Sequence, residues 1–149
     1  MIEKYNALKL SSQLCFPLYA CSKEVVKLYK PYLDRIDLTY TQYITMMLMW
    51  ENGCMRVKEI GDCLYLDSGT LTPVLKKLED KGFVERKRSD SDKRDLFVTL
   101  TEKGAQLRET ALSVPSEMSK CINIGQEKSQ QLYSLLYELL NTLRKSSTF

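Results

Sequence analysis

Residues 67–100, DSGTLTPVLKKLEDKGFVERKRSDSDKRDLFVTL, constrain this chain more than any other stretch. Leu71, Val74, Leu75 and Leu78 recur at helical spacing, and Asp67 or a hydroxyl after it can cap the start. Gly82 stops the helix after Lys81. Pro73 must fall within the first turn or two, because deeper inside it would break the hydrogen-bond ladder. Two β-type runs follow, Phe83–Lys87 and Leu96–Leu100, around the polar segment RSDSDKRD, which has no apolar residue. Two strands about such a tip predict a hairpin. From Lys81 to Arg94 six basic residues (Lys81, Arg86, Lys87, Arg88, Lys93, Arg94) face three acidic ones (Glu85, Asp90, Asp92). A solvated charged loop would show the same balance. The residues upstream decide between the two readings.

Upstream, CFPLYACSKEVVKLYK places Leu18, Cys21, Val25, Leu28 and Tyr29 on one broad helical face. Pro17 suits a first turn, which puts Cys15 at or just before the helix start, and Pro31 is expected to end the helix. A second helix is predicted from about Thr41 to Trp50, stopping at Asn52-Gly53, and a short third one from Val57 to Leu64. Helix, helix, β-hairpin is the order of a winged helix-turn-helix. There the second helix of the pair enters the major groove of DNA and the hairpin reaches the neighbouring backbone or minor groove. The expected fold is therefore mainly α with a small β-hairpin wing. Ser68, Thr70 and Thr72 offer hydroxyls to bases or phosphates, and Lys76 and Lys77 suit phosphates. In the hairpin, Arg86, Lys87 and Arg88 lead to the tip, and Lys93 and Arg94 return from it. Asp92 is placed to orient the Arg94 guanidinium for a narrow groove. After Thr101, a helix cap, a long helix is expected to run towards Cys121 with a kink at Pro115. A last helix from about Gln126 to Arg144 carries Leu132, Leu135, Leu136, Leu139, Leu140 and Leu143.

Composition removes other classes. The chain has 149 residues, enough for one domain with a real core, and a net charge of +3, too mild to imply nucleic acid by itself. It has no histidine, so the usual general base and the Ser-His or Cys-His pair are missing. Its five cysteines include no CxxC pair, which argues against structural zinc, and the odd number argues against a disulfide framework. No catalytic site, metal site or cofactor is expected. The N-terminal MIEKYNALKLSSQL lacks the apolar run of a signal peptide, and no stretch approaches the roughly 20 apolar residues that span a bilayer. The expected location is cytoplasmic, with no membrane partner. Cys21, Cys54 and Cys63 fall on or near apolar helix faces and are expected to pack there.

The stretches LTYTQYITMMLMWENGCMRVKEIGDCLYLD and LDSGTLTPVLKKLEDKGFVERKRSDSDKRDLFVTLTEKG together resemble the MarR family of transcriptional regulators. The resemblance implies a homodimer joined through the first and last helices and bound to a pseudo-palindromic operator in double-stranded DNA, usually as a repressor. On that pattern residues 1–149 form one domain. About 1–38 and 102–149 serve dimerisation, and about 39–101 form the DNA-binding lobe. The leucine stripe of the last helix, with Leu8, Leu10 and Leu14 at the other end, agrees with a partner.

The stretch LSSQLCFPLYACSKEVVKLYKPYLDRIDLTYTQY looks like the organic-hydroperoxide-sensing, OhrR-type branch. That resemblance implies that Cys15 is the redox sensor and that Tyr29 and Tyr40 of the partner subunit hydrogen-bond its sulfur, with Tyr19 nearby. It also makes Cys121 a candidate resolving cysteine. Physical chemistry agrees, since the positive end of a helix and phenol donors both favour thiolate, the form that peroxide attacks. Cys15 and Tyr29 lie 14 residues apart, roughly 21 Å along a straight helix, so within one chain they cannot meet. Two rivals stand beside this expectation. One is a MarR-type regulator released by a small aromatic ligand, and the other is a thiol peroxidase using Cys15. A purely structural module would leave the basic wing without a purpose.

Overall fold

The computed structural model describes residues 3–146, and it divides into two compact units, Met1–Val114 and Pro115–Phe149. In the first unit, α1 (Cys15–Leu33) follows short 3-10 turns, and Pro17 occupies its first turn. Pro31 does not end the helix. It lies inside the last turn, where it forfeits a single backbone bond, and α1 continues to Leu33, whose side chain is buried. A 3-10 turn, Asp34–Ile36, then reverses the chain at Asp37, which takes the left-handed conformation at φ 52°.

Helix α2 (Tyr40–Asn52) begins with a capping box. Thr39 Oγ1 accepts from the Gln42 amide at 3.4 Å, and Gln42 Oε1 accepts from the Thr39 amide at 3.1 Å. Gly53, at φ 71°, takes the chain out of α2 into β1 (Cys54–Arg56). No alternation in the sequence marks this strand, and its place comes from pairing. The helices α3 (Val57–Leu64) and α4 (Ser68–Asp80) follow, joined by a turn with Tyr65 left-handed at φ 56°. Asp67 caps α4, its Oδ1 accepting from the Thr70 amide at 2.9 Å. Leu71, Leu75 and Leu78 bury one face of α4 with Ile60, Met46, Met49, Val84 and Val98. Each such side chain contributes on the order of 1.5–3 kcal/mol by leaving water.

The sheet has the order β1-β3-β2 and is antiparallel throughout, with β2 at Val84–Arg88 and β3 at Leu96–Leu100. Val98, fully buried, stands opposite Met55 on one side and Arg86 on the other. The wing is thus a hairpin, β2 and β3, with a third strand against its inner edge. Helix α5 (Glu102–Ala111) is capped by Thr101, whose Oγ1 accepts from the Gly104 amide at 3.0 Å. The single long helix expected beyond it is instead two, because α5 stops at Ala111 and α6 (Ser113–Cys121) starts afresh. Pro115 is the third residue of α6. A proline is at ease in a first turn and not in a helix interior, so the helix restarts ahead of it.

The second unit begins within α6, at Pro115, and contains α7 (Gln126–Ser146), introduced by Gly125 at φ 89°. On α7, Leu132, Leu135 and Leu143 are exposed in the single chain, as are Tyr133 and Tyr137, whose ring centroids lie 4.7 Å apart. In the first unit Leu8, Leu10 and Leu14 are likewise exposed. No helix among the described residues is long and apolar enough to cross a membrane.

Candidate nucleic-acid interface and thiol centre

With its leucines turned inward, α4 presents Ser68, Thr70, Thr72, Lys76 and Lys77 outward, all exposed. The hydroxyls are not idle. Thr70 Oγ1 donates to Asp67 Oδ2 at 2.9 Å, and Thr72 Oγ1 donates to the Ser68 carbonyl at 2.7 Å. Both oxygens keep lone pairs for donors of a bound molecule, and both side chains are held in place. The bonds from Thr70 hold the Asp67 carboxyl below its ordinary range, which keeps a negative cap at the positive end of α4.

The hairpin carries Lys87, Arg88, Lys93 and Arg94 in exposed positions. Arg94 is the most open of the wing's ion-paired cations, at 93% side-chain exposure. Asp92 Oδ1 accepts from its amide at 2.9 Å and from its Nε at 3.4 Å, so the carboxylate orients the guanidinium from two residues away. Arg88 donates to the Lys93 carbonyl at 2.7 Å across the tip.

Arg86 departs from the expectation. Its Nε and Nη2 donate to Glu79 Oε2 at 2.9 and 2.7 Å, its amide donates to Glu79 Oε1 at 2.9 Å, and its side chain is only 22% exposed. The guanidinium fastens β2 to the end of α4 instead of reaching for the tip. Those bonds, the side-chain one first, hold the Glu79 carboxyl below its ordinary value. Strand alternation explains the difference, since Arg86 shares a face with buried Val84 while Glu85 and Lys87 point to water.

Sequence reasoning missed Arg56 and Lys58. With Ser68 and Arg94 they line a cleft of about 430 Å³ between the start of α3, the start of α4 and the wing. Arg56 stacks on the Phe97 ring at 5.5 Å and lies 3.7 Å from Asp95, which ties β1 to the base of β3. The basic letters of MRVKE were visible, but their approach to Arg94 depends on the pairing of β1 with β3.

Cys15 is the first residue of α1 and is exposed. Leu14 before it offers no side-chain cap, so the helix end beside the thiol is unshielded. Further along the same helix Tyr29 meets Tyr40 of α2 with ring centroids 4.9 Å apart, and Tyr43 with centroids 5.9 Å apart. Burial, with the neighbouring phenol adding, raises the Tyr29 hydroxyl above its ordinary value, and burial raises those of Tyr40 and Tyr43. All three stay protonated donors at neutral pH. The fold therefore brings Tyr29 and Tyr40 together and leaves Cys15 at the opposite end of α1. Tyr19 stands one turn from Cys15, exposed, with Lys23 over its ring at 5.2 Å, and does not join the other pair. Cys121 closes α6 and is exposed. Cys21, Cys54 and Cys63 are not packed as expected. All three are exposed, and Cys54 lies on β1, its Sγ accepting from Thr99 Oγ1 at 3.4 Å. In α3 the buried positions are Ile60 and Gly61, which leaves Cys63 outside. Among the described residues no group of His, Cys, Asp and Glu is arranged to hold a metal ion.

An exposed polar helix beside a basic, three-stranded wing defines a winged helix-turn-helix of the DNA-binding type. The model of the family described as Transcriptional regulator SarA/Rot matches residues 27–110. The organic hydroperoxide resistance transcriptional regulator of Bacillus subtilis is 46% identical over 147 residues, covering 99% of this chain and all of the relative. Among solved structures, reduced AbfR of Staphylococcus epidermidis bound to DNA is 36% identical, with TM-score 0.80 over 95% of this chain and 97% of that one. The disulfide-formed state of AbfR matches with TM-score 0.66 at the same identity, over 95% and 96%. The chain belongs to the MarR/SarA family of winged-helix transcriptional regulators, on the branch of the organic hydroperoxide resistance regulators. It is a family of regulators and not of enzymes, which removes the thiol peroxidase reading.

Proposed function

We propose that this chain is a dimeric, cytoplasmic repressor that leaves its operator when organic hydroperoxide oxidises Cys15. The observation that carries this reading is the separation of the two halves of the thiol centre. Cys15 stands exposed at the N-terminus of α1, and the Tyr29–Tyr40 pair stands at the other end of the same helix. A phenol pair so far from its own chain's thiol serves the thiol of a second copy. The exposed leucines of α7 and the apolar residues before Cys15 supply surface for that copy.

The chemistry is a two-electron oxidation. The Cys15 thiolate attacks a peroxide oxygen of ROOH, an S–O bond forms, the O–O bond breaks, and the alkoxide leaves as ROH after taking a proton. The sulfenic acid that results condenses with a second thiol, of Cys121 or of a small molecule, to give a disulfide and water. Either product ends the thiolate–phenol bonds that hold the two copies in register. The two α4 helices then no longer fit successive major grooves. On DNA, Ser68, Thr70 and Thr72 face base edges and phosphates, and Lys76, Lys77, Lys87, Arg88, Lys93 and Arg94 neutralise phosphates, with Asp92 holding Arg94 for the minor groove.

The test is binding to promoter DNA beside the chain's own gene, before and after one equivalent of cumene hydroperoxide, for wild type and Cys15→Ser. Tight binding that only the wild type loses is the expected result. A Cys15→Ser protein that still releases DNA on peroxide refutes the sensor assignment. A Cys121→Ser protein that meets excess hydroperoxide with no small thiol present, and on later reduction recovers binding as wild type does, would remove Cys121 from the cycle.

A further inference from the structure

One side chain joins the first turn of α2 to the end of α4. Lys81, the residue at which α4 ends, donates its Nζ to the Asp37 carbonyl. The same ammonium lies 3.1 Å from Asp37 Oδ2 and 3.4 Å from Gln42 Oε1. The Asp37 carbonyl and Gln42 Oε1 are held in place, whereas the Asp37 carboxylate is 81% exposed and its pairing is screened by water. Asp37 holds a left-handed backbone, a conformation with an energetic cost that persists when surrounding contacts enforce it. Gln42 is buried, and its Oε1 also accepts from the Thr39 amide in the capping box. Tyr40, whose ring packs on Tyr29, is the next residue after Thr39.

The other end of the lysine is equally committed. The Lys81 amide bonds to the Lys77 carbonyl at 3.1 Å, and its carbonyl accepts from Lys103 Nζ at 2.7 Å. Two residues earlier Glu79 grips Arg86 of β2. A displacement of the Tyr40 turn therefore reaches the end of α4 through Lys81 as well as through the core that α2 and α4 share. Its ammonium has three donors and is met by acceptors from the Asp37 bend and from the first turn of α2, so the clasp spans the entry to α2.

We propose that Lys81 is a positioning residue that couples the oxidation state of Cys15 to the orientation of α4 on DNA. The inference rests on the function proposed above. In the reduced dimer the thiolate–phenol bonds hold the start of α2, and the clasp holds α4 in the same frame. When oxidation frees the Tyr40 turn, the clasp carries α4 with it. Without the ammonium the core that α4 shares with Met46 and Met49 of α2 remains, and the C-terminal end of α4 follows the turn less closely.

The experiment measures operator affinity of the full chain by fluorescence anisotropy, reduced and after one equivalent of cumene hydroperoxide. The readout is the ratio of the two dissociation constants, recorded with the rate of Cys15 oxidation and the Tm of each variant. In Lys81→Met the ratio falls at least about fivefold, the scale of ordinary coupling between sites, while the oxidation rate stays that of wild type. Lys81→Arg retains most of the ratio. Lys103→Met, which loses a bond at the same helix end without touching α2, retains all of it. Asp37→Asn keeps a residue suited to the left-handed turn and lowers the ratio less than Lys81→Met does. A merely structural role would lower Tm and reduced-state affinity and leave the ratio intact. An unchanged ratio in both Lys81→Met and Asp37→Asn, with a responsive wild type, overturns this inference alone. A wild type whose binding ignores peroxide overturns it together with the proposed function.

Discussion

Gly104 stands where α5 crosses the start of β2, and replacing it by alanine tests the packing of the whole DNA-binding unit. A Cβ there would overlap the Phe83 carbonyl oxygen and stand 2.9 Å from both the Phe83 carbonyl carbon and Leu100 Cδ1. Leu100 can rotate away. The Phe83 carbonyl cannot, because it accepts the Thr101 amide at 3.1 Å. The helix must therefore back off as a body, which costs about 3 kcal/mol, the upper range for overpacking. Moving it also breaks the bond from Trp50 Nε1 to the Gly104 carbonyl, 2.8 Å long, for about 1 kcal/mol more. The better helix propensity of alanine offsets about 1 kcal/mol of this. The net loss is about 3 kcal/mol, or a fall in Tm of about 6–12 °C for a chain of this size. Trp50 is the only tryptophan in the sequence, so its emission reports the broken bond without ambiguity. Thermal melts of Gly104→Ala and wild type, at equal protein concentration because a dimer's Tm depends on it, decide the matter. A Tm within about 2 °C of wild type and an unshifted Trp50 emission would refute the packing argument.

The two wing arginines should separate cleanly. Arg94→Ala weakens operator binding and lowers its salt dependence by about one phosphate per wing, with Tm unchanged, whereas Arg86→Ala lowers Tm first. Equal losses of affinity at equal Tm would contradict the division. The Glu79–Arg86 bond also predicts a pH dependence. The Glu79 carboxyl lies below its ordinary value in the folded chain, so its contribution is present above the unfolded pKa of about 4.3 and disappears as pH falls through the lower folded value. Glu79→Gln should flatten the acid limb of a denaturation profile, and a limb identical to wild type would exclude Glu79 from it. Tyr29→Phe removes one phenol donor and should slow the release of DNA by peroxide while sparing the reduced protein's affinity. Stopped-flow anisotropy showing a wild-type rate would take Tyr29 out of the thiol centre.

Much of this architecture was legible in the order of residues. The leucine period of α4, its Asp67 cap and Gly82 stop, and the polar tip between two β-type runs each depend on neighbours a few positions away. Local chemistry therefore determined the helix pair, the hairpin and the placement of Cys15 at a helix start. The basic tip and the exposed hydroxyls of α4 followed from the same periodicities. Three features depended on contacts between distant residues, which leave no local trace. Strand β1 exists because Cys54, Met55 and Arg56 find β3 some 43 positions on, Met55 facing Val98. Arg86 is a fastener because the pleat turns it towards Glu79, while its neighbours in the same basic run face water. Lys81 looks like one more charge of the wing, yet the turn at Asp37 draws its ammonium to the foot of α2. A period in the sequence states which face of an element is apolar. Which charged side chain meets which partner is settled only when separate elements pack, because the strength of an ion pair depends on a few ångströms that only the assembled fold supplies.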